Sequence, residues 1–190
     1  MKSITVGFAI CGSFCTFSKA IPQMNAFIDS GYEVVPIMSK TASSLDTRFG
    51  KASDFIREIE GICNKKIINT IVDAEPIGPK KMVDIMVIAP CTGNTLAKIS
   101  NAITDTPVTM AAKSLLRIER PLLIALASND ALGATAQNIG KLMNVKNIFF
   151  VPMSQDDPEK KPNSLVAHFD LIVPSVEMAL NKKQIQPVFL

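Results

Sequence analysis

Continuous apolar runs, each ended by turn residues, predict the strands of this protein. Apolar runs of four to eight residues without polar alternation are typical of strands buried on both faces of a sheet. The predicted strands are residues 3–10, 32–38, 65–72, 83–90, 120–128, 145–152 and 169–174. The pattern indicates a parallel sheet that is covered by helices on two sides.

Amphipathic segments separate these runs and predict the helices, which are residues 16–29, 51–64, 92–104, 107–119, 130–144 and 175–184. Gly31 ends the first helix, and the prolines and glycine of residues 75–81 make that segment a loop. Because strands and helices alternate, we expect the α/β class. The expected fold is a single Rossmann-like (flavodoxin-like), doubly wound parallel sheet over residues 1–184, with a tail at 185–190.

The composition narrows the classes of function. No apolar run reaches the ~20 residues of a membrane-spanning helix, and the first ten residues lack a leader pattern, so we expect a cytoplasmic protein. The four cysteines form no C-x-x-C pair and have no histidine cluster beside them, which argues against a metal site. Scattered lysine pairs, one tyrosine and no tryptophan argue against nucleic-acid binding.

The turn after the first predicted strand contains Gly7 and Gly12, which are spaced as in half of a phosphate-binding loop. The lysine of that motif is missing, because Ser13 and Phe14 follow Gly12. The dinucleotide fingerprint is also absent, and Ser39 stands where a dinucleotide enzyme would place an acid. The remaining glycine–serine turn suits a single phosphate, although a tight turn without a ligand explains it equally well.

A second polar turn follows Pro90, where five small or polar residues precede a helix. Asn94 or Thr95 is the expected N-cap of that helix. Capping explains only one polar residue, whereas the carboxyl ends of parallel strands are where such folds bind ligands. The amides and hydroxyls here therefore predict contacts with a phosphate or the edge of a heterocycle.

The segments GSFCTFSK and VIAPCTGNTLAKISNAITDTPVT, with the strand order, resemble the flavoproteins that include flavin-dependent decarboxylases and flavin prenyltransferases. The resemblance covers nearly the whole chain. It implies that the A-P-x-x-x-N-T turn contacts FMN, that the glycine–serine turn binds the FMN phosphate, and that Ser39 contacts the flavin. The candidate cofactor-binding residues are Gly12, Ser13, Phe14, Ser39, Ala89, Pro90, Cys91, Thr92, Asn94, Thr95 and Asn129.

The chain departs from this family at one point that matters for chemistry. The cysteine decarboxylases carry a histidine about eight residues before the Val-Asp of the third long strand. The corresponding position here is about Pro76, and no histidine lies nearby. The acid and arginine positions of the prenyltransferases are not matched either. FMN is therefore implied by the family, but a site that has lost its flavin stays an alternative.

A longer resemblance runs from the first strand to the tail and is carried by AEPIGPKK, by residues 131–167 and by QIQPV. It is to the B subunits of a two-subunit synthase family of endospore-forming bacteria. It implies a partner A subunit that binds NADP, a ring dicarboxylate substrate and a place in the mother-cell cytoplasm. The wider family forms trimers and larger homo-oligomers, which is implied here too.

Residues 156–170, DDPEKKPNSLVAHFD, are unusually polar for this chain. The prolines and acids suit a surface turn, but related proteins have a D-x-x-x-K-P-x-S-L segment here. We therefore predict a functional loop in which Lys160, Lys161, Asn163 and Ser164 contact the dicarboxylate or the flavin pocket. His168, the lone histidine, leads into an apolar run and is assigned no role, so the catalytic residue stays unknown.

Overall fold

The structure is a computed structural model that describes residues 3–190. Its strands are β1 (Thr5–Ile10), β2 (Glu33–Met38), β3 (Ile85–Cys91), β4 (Leu122–Ser128), β5 (Ile148–Phe150), β6 (Met153–Ser154) and β7 (Leu165–Ala167). Its helices are α1 (Phe17–Asp29), α2 (Lys40–Ser44), α3 (Ala52–Cys63), α4 (Ile71–Ala74), α5 (Gly93–Ser100), α6 (Pro107–Leu116), α7 (Ala136–Met143) and α8 (Ile172–Leu180). No helix in the described range is long and apolar enough to cross a membrane.

Five strands form a parallel sheet in the order β2, β1, β3, β4, β5. This order is that of flavodoxin-like folds, and it confirms the predicted fold class. The strand order reverses between β1 and β3, so the turns after these two strands face the same crevice. The crevice is therefore built by the two polar turns that the sequence singled out.

An antiparallel extension widens the sheet beyond the parallel strands. β7 pairs with the end of β4, with Ser128 opposite Leu165, and β6 pairs with β7. The sequence did not predict these short strands, which contain two and three residues. They bring the segment between them, residues 155–164, to the carboxyl edge of the sheet.

The sheet is covered on both faces, as its apolar strands predict. Alternate residues of β1 enter different cores: Val6, Phe8 and Ile10 pack with α1, α3 and α8, whereas Ala9 packs with helices that include α4 and α6. All of these side chains are fully buried. The buried strands are thus rigid supports for the turns at their ends.

Three predicted elements are wrong. Residues 65–72 form no strand, because only Ile68 pairs with β2 and Thr70 then caps the short helix α4. Residues 169–174 form no strand, because Phe169–Leu171 is a short 3-10 helix and α8 begins at Ile172, with buried apolar side chains at the helical spacing of Phe169, Ile172 and Val176. The helix predicted at 130–144 begins only at Ala136, after a series of turns.

The C-terminal residues 185–190 lie along the edge of the sheet. Met153 N donates a hydrogen bond to Val188 O at 2.9 Å, and Leu190 N donates to Met153 O at 3.0 Å. The division of the chain into a domain at 1–184 and a tail at 185–190 stays a prediction.

Candidate functional site

The first turn contains backbone hydrogen-bond donors that no described residue accepts. Ser13 N donates to Cys11 O at 2.9 Å, and Thr16 donates to Ser13 O through both its backbone N at 3.0 Å and its Oγ1 at 2.8 Å. The N–H groups of Gly12, Phe14 and Cys15 have no acceptor within residues 3–190. Because these donors lie just before α1, the turn can bind an anion.

The second turn is hydrogen-bonded to the first. Cys11 N donates to Pro90 O at 3.2 Å. Thr92, and neither Asn94 nor Thr95, is the N-cap of α5, since its Oγ1 accepts from Thr95 N at 3.3 Å. The Thr95 hydroxyl lies 3.3 Å from Cys11 Sγ. The predicted residues of both turns are therefore brought together, but several of their polar groups already serve each other.

Two predicted site residues keep free polar groups. Asn94 is exposed, and its side chain has no hydrogen bond to any described residue. Ser13 Oγ has only a long contact of 3.9 Å with Cys15 Sγ. These groups, with the free N–H groups of the first turn, are the donors available to a ligand.

Two thiols lie beneath the turns and are chemically quiet. Burial raises the pKa of Cys11 to about 11, against the opposing effect of the Thr95 hydrogen bond. Burial also raises the pKa of Cys91 well above its ordinary value, and the nearby Cys11 adds to the effect. Both thiols therefore stay protonated at neutral pH and do not act as nucleophiles.

Ser39 lies beside the first turn at the end of β2. Its N donates to Ile10 O at 2.9 Å, and its Oγ caps α2 by accepting from Ala42 N at 3.1 Å. A Cβ placed on Gly12 would lie 3.3 Å from Thr41 Cγ2 in α2. The first turn and α2 therefore pack closely, and a glycine at position 12 allows this approach.

A third polar group lies at the end of β4. Asp130 accepts hydrogen bonds from the hydroxyls of Ser128 and Thr135, and these bonds, the Ser128 bond first, lower its pKa despite partial desolvation. A Cβ on Gly93 would lie 2.7 Å from both hydroxyl oxygens. This cluster fixes the start of α5, while the predicted site residue Asn129 is exposed beside it.

The polar groups at the crevice are of the kind that could hold the phosphate end of a flavin. They are three N–H groups and the Ser13 hydroxyl, which have no close acceptor or donor among the described residues, and the exposed amide of Asn94. No group of three or more histidine, cysteine, aspartate and glutamate side chains within the described range could hold a metal ion.

The segment 156–164 lies near the first turn and the turn after β4. Lys161 forms an ion pair with Asp156 at 2.7 Å and is close enough to Cys15 for that side chain to affect the lysine pKa. Leu132 N donates to Asn163 O at 2.9 Å, which ties the segment to the turn after β4. Lys160 is largely exposed, with 85% of its side chain accessible.

Ser164 is the other predicted contact residue in this segment, and it is fully buried. Its hydroxyl has no partner in hydrogen-bond geometry among the described residues, although it lies near enough to Asp156 to lower that pKa further. Of the four predicted contacts, Lys161 thus lies near the first turn, and Asn163 ties the segment to the turn after β4.

Sequence reasoning missed a cavity of about 580 Å³ beside this segment. It lies between α1 and the β6–β7 strands, and it contains His168, whose Nε2 lies 2.8 Å from Ser154 Oγ. The lone histidine was the only available signal, since the α1 residues that complete the cavity lie far away along the chain. A cavity of about 760 Å³, which includes Glu119 and Lys182, lies at the amino end of β5, away from the crevice.

The comparisons with known proteins agree with this geometry. The chain is 45% identical to the B subunit of dipicolinate synthase from Bacillus subtilis over 190 residues, covering 100% of this chain and 95% of that protein. A crystal structure of the B subunit of dipicolinate synthase from Bacillus halodurans C superposes with a TM-score of 0.90 at 44% identity, covering 100% of this chain and 98% of the other.

More distantly related structures share this fold. The FMN-dependent cysteine decarboxylase SpaF superposes with a TM-score of 0.69 at 22% identity, covering 94% of this chain and 96% of the other. The family described as Flavoprotein matches residues 1–177. The match spans the parallel sheet, both polar turns and the segment 156–164, and the chain therefore belongs to the Flavoprotein family.

Proposed function

We propose that this chain is the B subunit of a dipicolinate synthase. It would act with an A subunit to convert 4-hydroxy-tetrahydrodipicolinate to dipicolinate. The observation that carries the proposal is the 45% identity, along the entire chain, to the B subunit of a known dipicolinate synthase. The absence of a dinucleotide fingerprint, with Ser39 in place of the ribose-binding acid, supports an NADP site on the partner.

The proposed reaction balances with NADP⁺ as the only oxidant. The substrate loses one water, one hydride to NADP⁺ and one proton to solvent, and the ring becomes aromatic. Since aromatisation supplies driving force, the protein mainly needs to orient the ring and move protons. Flavin is therefore not required by the stoichiometry, although membership of the Flavoprotein family supports its binding.

FMN, if retained, would lie in the crevice between the first and second turns. The N–H groups of Gly12, Phe14 and Cys15 and the hydroxyl of Ser13 would hold its phosphate, and Asn94 would contact its polar edge. Bound flavin would supply hydride transfer at this edge. The remaining candidates, Ala89, Pro90, Cys91, Thr92 and Thr95, would shape the crevice, with Ser39 and Asn129 at its borders.

The proposal also covers the cellular location of the chain, its assembly and the lysines that would contact the substrate. We expect this chain to work in the mother-cell cytoplasm of a sporulating bacterium, as a homo-oligomer that binds A subunits. Lys161 would reach a substrate carboxylate only by leaving Asp156, since the two side chains form an ion pair. Lys160, which is more exposed, is freer to do so.

Co-expression with an A subunit tests the proposal. The purified chains would receive 4-hydroxy-tetrahydrodipicolinate and NADP⁺, and dipicolinate would be measured with both chains and with each alone. We expect dipicolinate at a rate that requires this chain. The flavin absorbance of the same sample would show whether FMN takes part.

A rate that does not depend on this chain would reject the proposed function. The alternatives are a stand-alone FMN-dependent decarboxylase, which would act on a carboxylate without any partner, and a binding subunit without flavin. If flavin-free protein fully stimulated the A subunit, the latter would be favoured. The missing histidine near Pro76 disfavours peptidyl-cysteine decarboxylation.

A further inference from the structure

The cavity between α1 and the β6–β7 strands has the dimensions of a small-molecule site. Its volume of about 580 Å³ lies within the range of about 300–1,000 Å³ of ligand pockets. The α1 side contributes Ser18, Lys19 and Gln23, and the strand side contributes Ser154 and His168. Hydroxyl, amide, ammonium and imidazole groups from distant parts of the chain thus converge on one space.

The Ser154–His168 pair gives this space a proton acceptor. Nε2 of His168 lies 2.8 Å from Ser154 Oγ, while Nδ1 has no hydrogen-bond partner in the described part of the chain. If Nε2–H donates to the serine, Nδ1 keeps a free lone pair. The backbone fixes the residue, since His168 N donates to Pro152 O at 2.8 Å. A held imidazole with one free nitrogen is suited to general base catalysis.

Charges around the imidazole come from three elements. Lys19 belongs to α1, Asp170 follows β7, and Asp156 belongs to the segment after β6. Asp156 is neutralised by Lys161 at 2.7 Å, and the lysine accordingly lowers the aspartate pKa. Lys19 and Asp170 have no ion pair within residues 3–190, so Lys19 can bind one carboxylate of a ligand, whereas Asp170 would repel a carboxylate placed beside it. The hydroxyls and the amide suit a ligand that carries a hydroxyl group.

We propose that this cavity binds the hydroxylated ring dicarboxylate and that His168 accepts the proton when water is eliminated from it. This inference rests on the proposed function and deepens it. It divides the reaction between the chains: this chain dehydrates the ring, and the A subunit then passes hydride to NADP⁺. Asp156 lines the cavity and pairs with Lys161, which lies by Cys15, so the cavity adjoins the flavin-type crevice.

The elimination balances without any cofactor. A C–H bond breaks on the carbon that lies between the hydroxyl-bearing carbon and the imine carbon, and His168 takes the proton. The electron pair forms a carbon–carbon double bond as the C–O bond breaks. The leaving hydroxide receives the proton back from His168 and departs as water, so the imidazole returns to its neutral form. No electron is gained or lost by the protein.

The test uses the tag-free chain without the A subunit and without NADP⁺. Water elimination from 4-hydroxy-tetrahydrodipicolinate would be followed by the NMR signal of the proton on the hydroxyl-bearing carbon. We expect the wild-type chain to accelerate elimination over the buffer rate. His168→Gln should reduce the catalysed rate by about 100-fold, the lower bound for loss of a general base.

Three further variants separate the catalytic role of His168 from the roles of residues that orient the base or bind the substrate. Ser154→Ala should slow the reaction only about 3- to 10-fold, as expected when one hydrogen bond that orients the base is lost. Lys19→Gln should raise KM and leave kcat unchanged, since Lys19 would bind a carboxylate equally in the ground state and in the transition state. Lys146→Gln, in the cavity at the other end of the sheet, should change neither.

A binding measurement on the wild-type protein avoids any folding defect of a variant. The sequence has one histidine, so the carbon-bound imidazole protons give a single set of NMR signals. Dipicolinate should shift these histidine signals progressively until the binding site is saturated. An unshifted signal at saturating dipicolinate, a wild-type chain that does not accelerate elimination, or a His168→Gln variant as fast as wild type would each overturn the inference.

The outcome can be separated from that of the proposed function. Dipicolinate made by the two chains at a rate unchanged by His168→Gln would leave the two-chain function standing and reject this cavity. Catalysed elimination by the isolated chain, with no dipicolinate when the A subunit is added, would support the cavity and reject the two-chain function.

Discussion

The two turns of the crevice and the Ser154–His168 cavity are both polar, but they are built in opposite ways. In the crevice, Thr92, Thr95 and Cys11 bond to one another and form a closed network. In the cavity, one serine–histidine pair is surrounded by side chains that have few partners of their own. Polar side chains of the crevice are therefore paired with one another, whereas the cavity contains an imidazole whose Nδ1 has no partner among the described residues.

This difference teaches that polar residues at a ligand edge need not be reactive. The thiols beneath the turns are held neutral by burial. The lone histidine lies instead in the cavity between α1 and the β6–β7 strands. The proposed flavin-type crevice and the proposed substrate cavity are thus neighbouring but separate regions.

The first way to test the comparison is thiol accessibility, for which the expected effect is all or none. Cys15 is exposed, whereas Cys11, Cys63 and Cys91 are buried. A disulfide reagent should titrate one thiol in the native protein and four after denaturation. Cys15→Ser should abolish the native reaction. A second thiol that reacts as fast in the native protein would show that the crevice is not closed.

The second test introduces a steric clash at the start of α5, beside the crevice, and leaves the cavity unchanged. Gly93→Ala would place a Cβ 2.7 Å from two hydroxyl oxygens and 3.0 Å from Asp130 Oδ1. Since these atoms are bonded to one another, they cannot move independently, and we expect a loss of about 1–3 kcal/mol in the free energy of unfolding. Urea unfolding measures the loss, and the dipicolinate-induced shift of the histidine signal should persist.

Gly140→Ala is the matched control for this variant. Gly140 lies inside α7 with no atom within 4 Å of an added Cβ. Alanine should therefore stabilise the helix by about 0.5–1 kcal/mol. Equal stability of the two alanine variants would contradict the close packing of α5 against the Asp130 cluster.

The smallest expected effect concerns Asp156, which joins the two regions. Its pKa is lowered chiefly by Lys161, so the ion pair contributes stability that is complete above a pH of about 4. That contribution is lost as the pH falls through the lowered pKa of the folded state. Asp156→Asn should therefore be slightly less stable than wild type near pH 7 and should converge with it in acid.

Urea unfolding at several pH values measures this difference, which should be smaller than that of Gly93→Ala because the pair is partly exposed. Asp170→Asn is the control, since Asp170 lines the same cavity and has no ion pair within residues 3–190. A constant difference between wild type and Asp156→Asn from neutral pH into acid would contradict the assigned ion pair.

Much of the fold could be predicted because its signals are local. Buried strands such as β1 and β3 are continuous apolar runs, and the turns after them contain the polar residues that the fold then brings together. Residues 169–174 were assigned wrongly because a short apolar run fits a strand as well as a buried helix, and packing of Ile172 against the sheet decides between them.

The sequence by itself determined the α/β class, the order of the main elements and the positions of the two polar turns, because each depends on neighbours along the chain. Only the tertiary structure decided that Thr92 caps α5, that Lys161 pairs with Asp156, and that the lone histidine meets Ser154 in a cavity. The Ser154–His168 contact depends on the pairing of strands too short to leave a periodic pattern. The other two contacts are local, but each segment offers more than one candidate side chain, and only the folded backbone selects among them.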